Sequence, residues 1–344
     1  MKTALITGVS GQGGAYLAKD LLSQGYNVVG TTRNTLLSNK RNLEALGIDK
    51  QVTLQSLDLT KPQQVLDLID EVRPVEIYHL AAPSSVSRSF IEPAETISSI
   101  VLTTVNVLDA IRKIDSKIPC FIANSTEIFG HCDIAASVMT PHNPSSPYGI
   151  GKSCTHYQAR NYRQAYGLFV SSGILSNFES PLRPRNYVTT KIITTACEIA
   201  LGQSSTIELG NLSIRRDWGS AEDFMHAATL TLKQREAADY IIATGTSSTL
   251  TDFLDVAFSR LDLDYKDHLI VRNSLIRPLD IEQTLCDVSA TEKRLNWNAK
   301  KTLDDVVTEM LFAELSTQIG SDQAAKKLGL KHMLENTSVI SLRR

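Results

Sequence analysis

Residues 7–14 read TGVSGQGG and lie between a short apolar run, residues 4–7, and a helical pattern over residues 16–22. A strand, a glycine-rich turn and a helix in this order are the required context of a dinucleotide-binding motif. Glycines at 8, 11 and 14 permit a tight turn, close approach of the backbone to a pyrophosphate, and close helix–strand packing. The pyrophosphate would lie at the helix N-terminus, where unpaired N–H groups point. We predict that Gly8, Gly11, Gln12 and Gly14 bind a dinucleotide; the alternative is a glycine-rich turn without a ligand.

Strand-like and helix-like segments alternate through the first half of the chain. Further strands are predicted at residues 27–30, 52–54, 76–80 and 120–123, and helices at about 65–71, 92–113 and 148–166. Short strands that alternate with helices favour a parallel sheet with right-handed crossovers. The sequence therefore predicts an α/β fold with a Rossmann-type doubly wound parallel sheet.

The second half is less regular. Residues 177–216 contain clustered prolines and arginines, among them Pro181, Arg183, Pro184 and Arg185, and are predicted to form an irregular, substrate-facing segment. We expect residues 1–175 to form the dinucleotide-binding domain. Residues 176–320 would form a smaller mixed substrate-binding region, with some chain returning to the first domain. Residues 321–344 are predicted to be a C-terminal extension, either a helix or a loose tail.

Composition limits the classes of function. The chain has 344 residues, 42% hydrophobic and 21% charged, with a formal net charge of −2, which favours neither nucleic acid nor an acidic membrane as a partner. Its five scattered cysteines include no C-x-x-C pair, so we expect neither a disulfide framework nor a thiolate metal site. The first apolar run is too short for a signal peptide and no later run is long enough to span a bilayer. We predict a soluble, cytoplasmic protein.

The end of the second predicted strand indicates the type of cofactor. An NAD site usually has an acidic residue there, which bonds the ribose 2′-hydroxyl, whereas this chain has Arg33. An arginine can pair with a 2′-phosphate, so NADP is favoured over NAD, unless Arg33 is only a solvated loop residue. Asp58 and Leu59, after the third strand, are predicted to contact the adenine; Asp58 could instead only cap the helix that begins near Lys61.

A second group of residues predicts the chemistry. Ser125 and Glu127 follow the apolar run 121–123, at the carboxyl end of a strand, where ligands bind in such sheets. Tyr148 and Lys152 are four apart and therefore share a face of the next helix. We expect the Lys152 ammonium to lower the pKa of Tyr148 from its ordinary value of about 10. The Ser125 hydroxyl would bond the phenol, so that the set can move a proton while a hydride leaves an alcohol.

These features resemble the extended short-chain dehydrogenases that modify nucleotide sugars, and in particular the GDP-mannose 4,6-dehydratase family. The resemblance runs in order from about residue 2 to about residue 312. The matching motifs are STEIFG at 125–130, SPY at 146–148, GILSNFESP at 173–181, VTTK at 188–191, LGN at 209–211, RDWG at 216–219, ATG at 243–245 and RP at 277–278.

The resemblance implies a redox-neutral lyase that recycles bound NADP. Tyr148 would take the proton of the sugar 4-hydroxyl while hydride passes from C4 to the cofactor. Glu127 would remove the C5 proton and then protonate the departing C6 hydroxyl, before hydride returns to C6. A simple alcohol dehydrogenase does not need that carboxylate, although an exposed loop glutamate is the alternative for Glu127. Leu80 and Ala82, together with Tyr148 and Lys152, complete the cofactor-binding set.

The resemblance also implies the substrate contacts, with GDP-mannose favoured. They are Ser84, Asn177, Val188, Lys191, Arg216, Arg277 and Asp280. The cationic members suit a diphosphate, Ser84 would face the sugar, and Asp280 would contact the ribose. A homodimer or homotetramer is also implied.

Six positions depart from the family pattern: Gly13, Asn34, Pro83, Phe178, Pro184 and Thr190. The family usually has Asp, Arg, Gln, His, Gly and Arg at these positions, several of them near the cofactor phosphate or the sugar. Two alternatives therefore stay open. One is another nucleotide-sugar enzyme on the same scaffold, a reductase or an epimerase. The other is a paralogue that binds the cofactor without turnover.

Overall fold

The computed structural model describes residues 2–33, 40–276 and 279–330 and has the Rossmann-type fold that the sequence predicts. In chain order the strands are β1 (Thr3–Thr7), β2 (Asn27–Thr32), β3 (Val52–Ser56), β4 (Glu76–His79), β5 (Cys120–Ser125), β6 (Val170–Leu175), β7 (Asn177–Glu179), β8 (Ile207–Leu209), β9 (Arg215–Arg216), β10 (Trp218–Ser220), β11 (Asp239–Ile242), β12 (Ser248–Thr249) and β13 (Leu269–Val271).

The helices are named in the same way. They are α1 (Gln12–Ser23), α2 (Arg41–Ala45), α3 (Pro62–Val72), α4 (Val86–Ile91), α5 (Pro93–Ile114), α6 (Pro147–Tyr166), α7 (Val188–Ala200), α8 (Ala221–Thr231), α9 (Leu250–Ser259), α10 (Ser289–Leu295), α11 (Leu303–Ile319) and α12 (Ser321–Lys327). Short 3₁₀ turns lie at Thr126–Ile128, Tyr265–Asp267 and Asn273–Leu275.

Seven parallel strands form the central sheet in the order β11-β6-β5-β4-β1-β2-β3. The strand order reverses between β1 and β4, and such a switch point opens a ligand crevice at the carboxyl ends of the strands. Side chains of β1 alternate between the two faces, as strand geometry requires. Ala4 and Ile6 pack in the cluster that contains α1 and α8 side chains, whereas Leu5 packs in the cluster of α3 and α5.

Within the described residues, α5 is the one helix long and apolar enough to match a membrane span. It packs against α3 and α6, and eight of its side chains, Ile100, Val107 and Leu108 among them, are buried. Such burial is typical of a core helix on one face of the sheet.

The second half of the chain builds a separate core. Side chains of α7, α9, α11 and α12 pack together with those of β8, and Phe253, Phe258 and Leu311 are fully buried there. Three two-stranded sheets support this region: β7 with β10, β9 with β12, and β8 with β13. The second half of the chain also contributes a strand to the central sheet, because β11 pairs with β6 at its edge.

Two local expectations need correction or completion. The alternative that Asp58 caps α3 is wrong: the helix begins at Pro62 with Lys61 as its N-cap, and Asp58 instead accepts from the backbone N–H and hydroxyl of Thr60 at 3.0 and 2.7 Å. The C-terminal extension starts with helix α12, while residues 331–344 lie outside the described residues.

Candidate active site

The turn between β1 and α1 has the geometry of a phosphate cradle. Gly8 has a φ of +75°, and a Cβ there would lie 2.9 Å from the Ala81 Cα. A Cβ at Gly14 would lie 2.3 Å from the Gly8 carbonyl oxygen, so only glycine fits. Gly11 is the N-cap of α1, without a side-chain cap. The first N–H groups of the helix are thus left to an anion, and these residues fit a dinucleotide pyrophosphate.

Gln12 also ties this turn to the second half of the chain. Its amide nitrogen donates to the Phe178 carbonyl at 2.9 Å, and its amide oxygen accepts from the Ser180 hydroxyl at 2.6 Å. The side chain is therefore committed to protein partners, which leaves the backbone N–H for the predicted cofactor contact. Phe178 and Ser180 belong to the NFESP motif, so the amide links that motif to the glycine turn.

The remaining predicted cofactor residues follow strands β2, β3 and β4. Arg33 comes directly after β2, and its backbone carbonyl accepts from Ser56 at 3.2 Å. Leu59 is buried, while Leu80 and Ala82 follow β4 and are partly buried. Because the strands are parallel, all these positions lie at the same edge of the sheet as the glycine turn. Asn34, the departure next to Arg33, lies outside the described residues.

Ser125 and Glu127 lie where the sequence places them, at the carboxyl end of β5. Ser125 is the last residue of the strand, and its hydroxyl accepts from the Glu127 N–H at 3.3 Å, which fixes the 3₁₀ turn. A Cβ at Gly149 would lie 2.8 Å from the Glu127 carbonyl oxygen. Glycine therefore lets the Glu127 turn approach the first turn of α6, next to Tyr148.

Tyr148 and Lys152 share one face of α6, and both are buried. The Lys152 Nζ lies 5.8 Å from the Tyr148 ring centre and donates to the Ala123 carbonyl at 2.7 Å. Burial lowers the pKa of Lys152 to about 8.

The expected lowering of the Tyr148 pKa is not what the structure gives. Burial raises the pKa of Tyr148, the hydrogen bond with Ser125 acts in the opposite direction, and the charge of Glu127 adds to the rise. Desolvation of the phenolate thus outweighs the Ser125 hydrogen bond and the charge of Arg183, both of which lower the pKa.

His79, at the end of β4, is a buried neighbour that sequence reasoning missed. Its Nδ1 lies 2.8 Å from the Thr7 hydroxyl. Burial lowers its pKa to about 3, with a contribution from the charge of Lys152. The imidazole is therefore neutral and adds no positive charge beside Lys152.

Ser84 lies in the loop after β4 and is hydrogen-bonded to a residue without a predicted role. Its hydroxyl is 2.8 Å from the Tyr187 hydroxyl, and the Arg183 guanidinium lies 3.7 Å from the Tyr187 ring centre. The Arg183 Nε is 3.2 Å from an oxygen of Glu179, which is buried. The only sequence signal for this group was the cluster of prolines and arginines at residues 181–185.

Two predicted substrate residues are paired with each other. The buried Arg216 donates to an Asp280 oxygen at 3.0 Å, across 64 positions of the chain. The next residue, Asp217, accepts from the Thr244 and Gly245 N–H groups at 3.0 and 2.8 Å and from Ser176 at 2.9 Å. The RDWG and ATG motifs are thus joined by a buried carboxylate.

The other predicted substrate residues lie on β7 and α7. Asn177 begins β7 and pairs with Trp218 of β10, while Val188 begins α7. The Lys191 ammonium donates to the Glu208 carbonyl at 2.6 Å. Arg277 lies outside the described residues.

Two of the departures from the family pattern occur in one place. A Cβ at Gly13 would lie 3.5 Å from the Phe178 ring and 3.3 Å from the Met225 sulfur. The Phe178 ring in turn stacks edge-on against Phe224, with ring centres 6.1 Å apart. The small residue and the apolar ring therefore fit together. Thr190 donates to the Arg183 carbonyl at 3.3 Å, Pro83 is partly buried and Pro184 is exposed.

Comparison with known proteins identifies the family of the chain. Residues 5–310 match the family model described as GDP-mannose 4,6 dehydratase. GDP-mannose 4,6 dehydratase 2 of Arabidopsis thaliana is 37% identical over 324 residues, which are 91% of this chain and 87% of that protein. GDP-mannose 4,6-dehydratase of Vibrio cholerae is 33% identical, with 95% of this chain and 97% of that protein covered.

Solved structures share the fold at lower identity. The dTDP-glucose 4,6-dehydratase of Bacillus anthracis, in complex with NAD, has a TM-score of 0.80 and 18% identity, covering 95% of this chain and 97% of that one. The UDP-glucose 4-epimerase of Thermus thermophilus, in complex with NAD, has a TM-score of 0.79 and 22% identity, covering 90% and 97%. RMD from Pseudomonas aeruginosa, complexed with NADPH, has a TM-score of 0.77 and 17% identity, covering 93% and 100%.

Proposed function

Because the chain belongs to the GDP-mannose 4,6-dehydratase family, we propose that it converts GDP-mannose to GDP-4-keto-6-deoxymannose and water. One observation carries the proposal: Ser125, Glu127, Tyr148 and Lys152 lie together at the carboxyl edge of the sheet. The glycine turn after β1 faces the same edge. A carboxylate beside a Ser/Tyr/Lys set is what dehydration requires beyond alcohol oxidation.

The cofactor is a nicotinamide dinucleotide, and we propose NADP. When bound, its oxidised form would supply the acceptor for the hydride. Backbone N–H groups of Gly11, Gln12 and the turn would hold the pyrophosphate, and Arg33 would pair with the 2′-phosphate. Asp58, Leu59, Leu80 and Ala82 would line the adenosine side, and Lys152 would hold the nicotinamide ribose.

In the first step Tyr148 takes the proton of the sugar 4-hydroxyl. Burial raises the pKa of Tyr148, so nearby positive charge would favour its phenolate form, and the Lys152 ammonium on the same face of α6 would contribute to that charge. The Ser125 hydroxyl bonds the phenol and can also bond the 4-oxygen. As Tyr148 takes the proton and the hydride leaves C4 for the acceptor that a bound cofactor would supply, the C4–O bond becomes a carbonyl.

In the second step Glu127 moves one proton between two positions of the sugar. The C4 ketone acidifies the C5–H bond, and the Glu127 carboxylate removes that proton. The same proton then goes to the C6 hydroxyl, which leaves as water while a C5–C6 double bond forms. Hydride then returns to C6 and C5 takes a proton from solvent, to which Tyr148 releases the proton that it took from the 4-hydroxyl. The product is the 4-keto-6-deoxy sugar, and neither a net proton nor a net oxidant is consumed.

The nucleotide would be held by the second half of the chain. We propose that Lys191, Arg216 and Arg277 bind the diphosphate, that Asn177 and Ser84 bond the sugar side, and that Val188 and Asp280 contact the nucleoside. Arg216 is buried and already oriented by Asp280, so its guanidinium is held in a fixed direction before the substrate binds.

Incubation with GDP-mannose and mass spectrometry of the product tests the function. The expected product has lost one water, with no net consumption of NADPH. Glu127→Gln keeps the shape but cannot take a proton, so kcat should fall by about 10²–10⁴-fold while NADP binding is kept. Glu71→Gln, at an exposed position on α3, is the matched control and should behave as wild type.

Two outcomes would contradict the proposal. A product inverted at C4 without water loss, or net consumption of NADPH, would identify an epimerase or a reductase. Protein that binds NADP and leaves GDP- and UDP-hexoses unchanged would be the paralogue without turnover.

A further inference from the structure

Tyr187 is a second tyrosine beside the site, at the start of α7. Its hydroxyl lies 2.8 Å from the Ser84 hydroxyl, which links α7 to the loop after β4 across 103 positions of the chain. Ser84 is exposed and Tyr187 partly exposed, so a ligand in the crevice can reach the pair.

The Tyr187 ring packs against Arg183, which is paired with the buried Glu179. The Arg183 guanidinium lies over the ring at 3.7 Å, and the Arg183 Nε is 3.2 Å from a Glu179 oxygen. The Thr189 hydroxyl donates to the same oxygen at 2.8 Å, and Glu179 is 1% exposed. The ring therefore has a fixed position before any ligand binds, which is the property expected of a positioning group.

The hydroxyl pair lies at the edge of the sheet where Ser125 lies, because Ser84 is in the loop after β4 and β4 pairs with β5, which ends at Ser125. The charges of Tyr187 and Arg183 both act on the pKa of Tyr148, in opposite directions. A cation over the face of an aromatic ring withdraws electron density and makes its hydroxyl the better donor. With Tyr187 donating, the Ser84 oxygen is the acceptor, and the Ser84 proton is left for an oxygen of the ligand.

We propose that Tyr187 is a positioning residue for the hexose, and that its hydroxyl orients Ser84 to donate to a sugar oxygen next to the Tyr148 phenol. The inference rests on the proposed function, since it assumes a nucleotide hexose in the crevice. Tyr187 would thus contribute to recognition of the sugar through Ser84, and it would make no contact with the GDP moiety.

Calorimetry with GDP and with GDP-mannose tests the inference. The protein is loaded with NADPH, which cannot accept hydride, so the sugar stays intact during the titration. Tyr187→Phe keeps the ring and its contact with Arg183 and removes one hydrogen bond. GDP-mannose binding should weaken by about 3–10-fold, and GDP binding should be unchanged.

The double variant shows whether Tyr187 acts through Ser84. Ser84→Ala should also weaken only GDP-mannose binding, and adding Tyr187→Phe to it should bring no further loss. Tyr166→Phe is the matched control and should bind both ligands as wild type, because Tyr166 is half exposed at the far end of α6 and also has an arginine, Arg112, over its ring at 5.1 Å.

Equal loss of GDP and GDP-mannose binding in Tyr187→Phe would overturn the inference, as would no loss of either or additive losses in the double variant. Turnover of wild-type protein is measured separately. One outcome is that the wild-type protein shows no turnover while Tyr187→Phe still weakens the binding of GDP-mannose and not of GDP. That result would contradict the dehydratase function and would still support the positioning role of Tyr187. Normal turnover without that loss would count against Tyr187 alone.

Discussion

At the scale of single residues, burial shifts the pKa values of Tyr148 and Lys152 in the directions that disfavour their charged forms. Ser125, Tyr148 and Lys152 could be predicted from a strand end and a helical four-residue interval, whereas the role of Glu127 was implied only by the resemblance to the family. The direction of the Tyr148 pKa could not be predicted, because it depends on desolvation by parts of the chain that are distant in sequence. The hydrogen bond between Ser84 and Tyr187 could not be predicted either, because the two residues are 103 positions apart and no sequence motif connects them.

Lys152→Met should stabilise the protein and inactivate it. Burial lowers the folded-state pKa of Lys152 to about 8, against about 10.4 in the unfolded chain. Between these pH values the folded state binds fewer protons than the unfolded state. The free energy of unfolding of the wild-type protein therefore rises with pH through that window. The variant should gain about 1–3 kcal/mol in urea unfolding at pH 7, and the gain should shrink to about 1 kcal/mol or less at pH 10. A gain independent of pH, or retained activity, would contradict this.

At the scale of elements, the regular strands and helices of the first half follow from sequence pattern. The paired strands of the second half do not, because β9 and β12 have two residues each and are defined by a partner 32 positions away, Arg216 opposite Ser248. Such short strands lack a usable period. The buried Asp217 carboxylate, which joins the loops after β9 and β11, was likewise visible only as a motif.

The glycine turn gives a prediction in which two similar substitutions differ. Gly14→Ala puts a methyl group 2.3 Å from the Gly8 carbonyl oxygen and should cost about 3 kcal/mol of unfolding free energy. At Gly11 the nearest atom would be 3.4 Å away and the backbone has a φ of −75°, so Gly11→Ala should change stability by about 1 kcal/mol or less. Gly11→Ala should nevertheless weaken NADP binding by about tenfold, measured by fluorescence titration. Normal NADP binding in Gly11→Ala would contradict the prediction that this turn binds the pyrophosphate.

At the scale of the whole molecule, elements from the second half of the chain complete the core of the first half. The central sheet takes β11 from the second half, and α8 packs on α1. Lys19, Glu222, Lys301 and Glu309 form a chain of ion pairs between α1, α8 and α11. A ligand that contacts both halves should therefore stabilise the protein as one unit. A homodimer or homotetramer and a cytoplasmic location remain predictions, the first of which analytical ultracentrifugation can check.

Cofactor choice should be visible in thermal unfolding. NADP at 100 times its Kd should add about 2.7 kcal/mol of stability, which is about 4 °C in Tm for a chain of this length. NAD at the same concentration should add less, because it lacks the phosphate that Arg33 would bind. Arg33→Gln should remove the difference and leave the NAD shift unchanged; equal shifts with wild-type protein would exclude a 2′-phosphate site at Arg33.

The central claim is that hydride leaves C4 and returns to C6 of the same sugar while Glu127 moves the proton. Its most direct measurement uses GDP-mannose with deuterium at C4 and locates the label in the product by NMR and mass spectrometry. The expected product has lost water and carries the deuterium at C6. Deuterium found in released cofactor, retained at C4, or lost to solvent would contradict the account.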